Sequence, residues 1–248
     1  MKMLFRSLLS LFVIGPMAAD EKEKTSAPLA ALKLPGIKIN LEERSVDVNS
    51  TVCLQEGFLE FVACTKDTKE HESIISVRAK PSHIHTALLL LGAEAGHPAI
   101  RKVVGEGDEE RWVDLPPKGS LISVSFVIKN KEGQQIERPL TDFIDRSGDE
   151  EEQTKEEKAK AKAHLKTFLF AGSHLHGNGE GPKTYLADKS GSVISLSTFG
   201  DELLCLPEVY GNENHSLQWQ VDSTHLPKMD TKIILRLRPK IKKERTKR

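Results

Sequence analysis

The sequence predicts an α+β fold that is β-rich. It would have a mainly antiparallel sheet, one firm helix at about 81–92 and one exposed charged helix at about 148–165. Three observations predict this. Apolar side chains recur at every second position in several short runs, which puts them on one face of a sheet. Turn signals separate consecutive runs, and short turns favour antiparallel pairing. Only the stretch from Pro81 reads as a packed helix.

Ordered structure begins near "PGIKIN", where Ile37, Ile39 and Leu41 alternate with polar residues; Val46, Val48 and Val52 follow with a looser alternation. After a bend at Gly57, Phe58–Cys64 reads as a strand, and Glu72–Ala79 reads as another. Pro81 suits the first turn of a helix, where its missing N–H costs nothing. Ala87 to Leu91 are strong helix formers, and Gly92 or Gly96 ends the helix. Ile122, Val124, Phe126 and Ile128 alternate along the next strand; "NKEG" turns the chain, which returns from Gln135 as the partner. Residues 148–163 are nearly all charged or alanine, acids first and lysines after. That order complements a helix dipole, but no apolar stripe exists to dock the helix, so it reads as a solvated helix or mobile insertion. "ADKSGSVI" is a hairpin signal, "HGNGEGPK" a glycine-rich loop and "KIILRLRPK" the closing strand.

The ends define the organisation. Lys2 and Arg6 precede the uncharged, mostly apolar Ser7–Ala19, and small residues close that run, in the order of an export signal. The run is 13 residues, whereas a membrane span needs roughly 20. Residues 1–19 are therefore expected to be a signal peptide, 20–35 a flexible spacer, 36–240 a single domain carrying the insertion at 148–163, and 241–248 a basic tail. The expected location is outside the cytoplasm (periplasmic, envelope-associated or secreted), with no transmembrane span after cleavage. Basic and acidic residues balance at 36 each and aromatics make up 5%, which argues against nucleic acid as a partner. Three cysteines are too few for a four-cysteine iron–sulfur cluster or an all-thiolate zinc site. If Cys53 and Cys64 flank a hairpin bent at Gln55–Gly57, Cys53 lies opposite about residue 59. That offset exceeds the reach of a disulfide, so free thiols are expected.

Candidate chemistry concentrates in "CTKDTKEHES". Cys64 would serve as a thiolate and His71 as its base, or the stretch is a polar loop between two strands with Cys64 as a small buried side chain. The pair His83 and His85 falls in the expected helix, where a spacing of two separates the rings. His174 and His176 follow a strand and suit a chelate better; His71 would complete a weak metal site with them. No phosphate loop, nucleophile elbow or His-Glu-x-x-His motif occurs.

The order Lys-x-His-Glu-Ser, strand, Pro-Ser-x-Ile-His and an Ala-Leu-rich helix closed by Leu-Gly runs through "KEHESIISVRAKPSHIHTALLLLGAEAG". It resembles the YdjY-domain family of exported bacterial proteins. "EGFLEFVAC", "VSFVIKNKEGQQIE", "TFLFAGS", "YLADKSGSVISLSTFGDELLCLP" and "IILRLRP" fit the same family, over roughly residues 40–240. The resemblance implies no assigned activity, substrate or catalytic residue. It does raise the weight of Lys69, His71, Glu72 and Ser73 as binding candidates. The resulting expectation is a non-enzymatic binding or envelope-associated module without a cofactor, taking a protein or small ligand at the cell envelope. The alternative is a metal- or thiol-dependent enzyme using the Lys69–His71–Glu72 region, with a divalent transition metal. A purely structural envelope protein is the third.

Overall fold

The computed structural model describes residues 32–147, 154–177, 181–209 and 218–240. The expected signal peptide, most of the spacer, the acidic start of the charged run and the basic tail lie outside the described residues.

The main sheet has ten strands: β1 (Ile37–Asn40), β2 (Ser45–Val52), β3 (Phe61–Thr65), β4 (Ser73–Val77), β5 (Leu121–Lys129), β6 (Gln135–Pro139), β7 (Phe168–Leu169), β8 (Ser192–Ser195), β9 (Leu204–Cys205) and β10 (Lys232–Pro239). Their order is β1-β2-β10-β5-β7-β9-β8-β3-β4, and β4 pairs back onto β2. The sheet thus closes into an eight-strand barrel, with β1 attached outside β2 and β6 outside β5. The closure goes beyond the expected mainly antiparallel sheet: most pairings are antiparallel as expected, but β3–β4 and β8–β9 are parallel. Closure removes the free edges that an open sheet would expose. An eight-strand barrel is just narrow enough for side chains to fill. Val48 and Val52 of β2, Leu235 and Leu237 of β10 and Phe126 of β5 are among those buried in it.

The local signals explain several elements. In the β5–β6 hairpin the Asn130 Oδ1 accepts from the Glu132 and Gln134 amides at 3.1 and 2.8 Å, and Gly133 adopts φ 79°. Helix α1 (Pro81–Leu90) has Pro81 in its first turn and buries Pro81, Ile84, Ala87 and Leu88 against β1 and β2. It is capped by a remote side chain: the Asp188 carboxylate accepts from Ser82 N at 2.8 Å and from Ser82 Oγ at 2.6 Å. Helix α2 (Lys155–His164) falls in the charged run. Its C-terminal end is tied down by the Lys162–Asp145 pair at 3.9 Å and by buried Leu165 just beyond it.

The "ADKSG" signal is not a hairpin. It forms a short helix, α3 (Leu186–Ser190), ended by Gly191 at φ 83°. A left-handed glycine suits a helix C-cap as well as a turn, and the sequence alone does not separate the two. Among the described residues, four two-stranded ribbons stand outside the main sheet; Ile100–Val104 with Arg111–Leu115 is the longest of these.

Candidate functional site

The stretch that drew attention in the sequence is a tight crossover. β3 and β4 run parallel and adjacent, with Phe61 beside Ser73 and Thr65 beside Val77. The chain must therefore return the length of β3 within residues 66–72. Parallel neighbours usually need a dozen or more residues for this. Here the return is held by local polar groups. The Glu70 carboxylate accepts from the Asp67 and Thr68 amides at 2.6 and 2.9 Å, and the Ser73 hydroxyl donates to the Lys69 carbonyl at 2.7 Å. The Lys69 ammonium lies 4.2 Å from the Phe61 ring centre and 4.5 Å from that of Phe199, and these rings stack at 4.7 Å.

His71 is 77% exposed, with Nε2 3.6 Å from the Glu72 carboxylate. Glu72 also faces Glu60: burial, and then the Glu72 charge, push the Glu60 carboxyl up to about 6, against the pull of Lys69 and His71. Lys69, His71 and Glu72 are thus neighbours with Glu60, and Ser73 is buried in the crossover.

β4 lies between β2 and β3, so Cys53 and Cys64 are not hairpin partners as the sequence suggested. Their thiols interact across β4. The Cys53 thiol as partner holds the Cys64 thiol at about 7, while Cys53 itself is pushed far above the thiol range, chiefly by Cys64. All three cysteines are free, and Cys53 Sγ lies 3.2 Å from the Ser73 carbonyl.

Among the described residues no group of three His, Cys, Asp or Glu side chains is placed to hold an ion. His85 points into the interior, with Nδ1 2.9 Å from the Tyr185 hydroxyl, which donates to the Gly172 carbonyl. Burial pulls its pKa down. His174 offers its carbonyl to Leu186 N, and His176 is exposed beside Thr184.

A concavity lies on the outer face of the barrel. It is a cleft of about 630 Å³ across β4, β2, β10, β5 and β6, bordered by Lys66 and Glu70 of the crossover and by Asp230. Strand register shows which side chains share this face, because directly opposed residues point the same way. One row runs Asn49, Ile234, Val127, Glu137, and Arg78, just past the end of β4, borders the cleft beside it. The row toward the strand ends runs Ser76, Thr51, Lys232, Lys129, Gln135. In it, the β10–β5 register continued two residues past Ile234 and Val127 would set Lys232 opposite Lys129.

The third row holds Asp47, Arg236 and Ser125. There charge is fully matched. Arg236 grips Asp47 at 2.6 and 2.7 Å and Glu137 at 2.9 Å, and Arg238 pairs with Glu137. The Arg238 hydrogen bond, helped by Ser125 and Arg236, holds the Glu137 carboxyl at about 2.

At the other end, Lys66 is held by Asp67 at 2.6 Å, and Glu70 is spent on loop amides. Arg78, Lys129 and Lys232 form no ion pair among the described residues. Sequence reasoning missed these three cations because 51 residues separate the first two and 103 the last two. The only signal was a basic residue at the outward end of each of three strands, in "SVRAK", "FVIKNK" and "DTKIIL".

A family model described as the YdjY domain matches residues 37–238. No curated protein and no solved structure matches the chain.

Proposed function

The chain belongs to the YdjY-domain family, and from that premise we propose that it is an exported, non-enzymatic binding module whose ligand lies in the outer-face cleft. One observation carries the reading. The cleft has the size of a small-molecule site, roughly 300–1,000 Å³, and polar side chains from five strands and the crossover converge on it. Of the crossover, Lys66 and Glu70 line the cleft. Loops on a rigid barrel commonly carry recognition in this way.

Export rests on Lys2, Arg6 and the apolar run Ser7–Ala19. Among the described residues no helix is long and apolar enough to cross a membrane. The ligand would be met in the periplasm, at the envelope or in the medium.

The test is to express the full chain in a bacterium, recover the protein from the extracytoplasmic fraction and examine it by native mass spectrometry. A mature chain starting at Asp20 with a co-purifying small molecule is expected, and Thr51→Trp, which fills the cleft, releases that molecule. A chain retained in the cytoplasm with its leader intact overturns export. A bound molecule indifferent to Thr51→Trp, or none at all, overturns the cleft as the binding site.

A further inference from the structure

Building on the cleft as the binding site, we infer that its ligand presents a phosphoryl-class oxyanion to Lys129, Lys232 and Arg78, and lays an uncharged, partly apolar body over Ile234 and Val127.

The argument starts from cross-strand pairing. Directly opposed side chains on one face of an antiparallel pair have Cβ atoms about 4.5–5.5 Å apart, and like charges there are unfavourable. Continued two residues past its last pair, Ile234–Val127, the β10–β5 register would set Lys232 opposite Lys129, and both lysines line the cleft. Both strands are interior to the barrel wall, so these lysines are not protecting a free edge. Elsewhere on the same face the charges are compensated. Two residues further along β10, past Ile234, Arg236 takes two carboxylates and Glu137 takes two arginines. The charge pattern is therefore polarised within one face, satisfied at one end and open at the other.

What stands beside the opposed lysines is suited to an oxyanion. Thr51 and Ser76 continue their row on one side with hydroxyls, and Gln135 continues it on the other with an amide. Arg78 enters from just past β4, which pairs with β2. Four cations and two carboxylates border the cleft, an excess of two positive charges. Three cations without a close ion pair, two from β10 and β5 and Arg78 just past β4 with the Asp67 charge within reach, match a group with three terminal oxygens better than a carboxylate with two. Arginine in particular supplies a planar fork for such oxygens. The second row places Ile234 and Val127 next to the cations, so the face turns apolar within one strand-pair repeat. A bare inorganic ion would leave that part of the cleft unfilled. The same phosphoryl chemistry is found on soluble organic phosphates and on phospholipid headgroups.

The test uses the exported mature protein with inorganic phosphate as probe, followed by ³¹P and amide NMR and by thermal shift. The wild type should bind phosphate saturably, with shifts confined to residues of the two rows. Lys129→Gln/Lys232→Gln should weaken binding at least about tenfold, one decade for the loss of charge-assisted partners. The exposed pair Lys102→Gln/Lys118→Gln removes the same charge from elsewhere and should leave binding within about twofold. Without phosphate, the Lys129→Gln/Lys232→Gln protein should melt no lower than wild type, since it has lost a like-charge pair; this separates lost binding from lost folding. Flotation with vesicles of phosphatidylglycerol in phosphatidylcholine distinguishes the sources. Co-flotation that the double variant abolishes assigns a lipid headgroup; phosphate binding without flotation assigns a soluble phosphorylated compound. Phosphate binding that is absent, or equal in the wild type and the double variant, overturns the inference. If Thr51→Trp still releases a neutral co-purified molecule in that case, the cleft remains the binding site and only the anionic class falls.

Discussion

Replacing Glu137 with Gln tests the matched end of the outer face, on which the contrast with the unmatched end depends. The carboxyl is held at about 2, against an ordinary 4.5, first by Arg238 and then by Ser125 and Arg236. Unscreened, holding the carboxyl at about 2 would be worth about 3.4 kcal/mol. The side chain keeps 32% of its surface in water, and exposed pairs return far less than their Coulomb energy, so the expected cost is about 1–2 kcal/mol at pH 7.

The sign follows from the direction of the shift. A carboxyl depressed in the folded state stabilises fully above its unfolded value near 4.5, and that stability is lost as pH falls toward about 2. Urea unfolding at pH 7, 5 and 3, read through buried Trp219, should show the cost of Glu137→Gln constant between pH 7 and 5 and clearly smaller at pH 3. A cost under about 0.3 kcal/mol at pH 7, or one that grows on acidification, would refute the reasoning.

Other expectations concern the crossover and the thiols. Gly191→Ala puts a methyl group at φ 83° inside the contact distance of Thr68 Oγ1 and 2.7 Å from Thr65 Oγ1. It should lower stability by about 2–3 kcal/mol in a denaturant melt, and a neutral result would show that the crossover is not packed against α3. Lys69→Met keeps the aliphatic stem but removes the charge over Phe61 and Phe199. It should cost about 1–2 kcal/mol, while Lys69→Arg retains most of the stability; equal losses would remove the charge from the account. Alkylation of the exported protein under denaturing conditions should count three thiols; a count of one would establish a disulfide and overturn the free-thiol reading.

Local signals were legible in the sequence and distant ones were not. The β5–β6 hairpin is written in Asn130, Gly133 and the alternation on either side, all within 19 residues. Helix α1 is written in Pro81 and the apolar residues after it, although its cap, Asp188, lies 106 residues away. Barrel closure depends on β2 pairing with both β4 and β10, the latter about 185 residues along the chain. Alternation tells which face of β2 is buried but not which strands flank it.

The crossover was read as a loop between strands, which it is. Its tightness could not be read, since parallel neighbours normally take longer connections. The same holds for the site. Lys69, His71 and Glu72 attracted attention because they are close in sequence, and they are close in space as well, around Glu60. Lys129 and Lys232 gave no signal as a pair, because only the register of β10 on β5 sets them side by side.

The account's central claim is that the outer-face cleft is occupied in the protein's native surroundings. Lysine acylation rates measure this directly, without knowledge of the ligand. They would be compared in the extracytoplasmic extract and in the same protein after denaturation, washing and refolding. Lys129 and Lys232 should react at least about threefold more slowly in the extract, as roughly two-thirds occupancy requires, while Lys102 and Lys118 react at the same rate in both. Equal rates for Lys129 and Lys232 in the two preparations would contradict the claim.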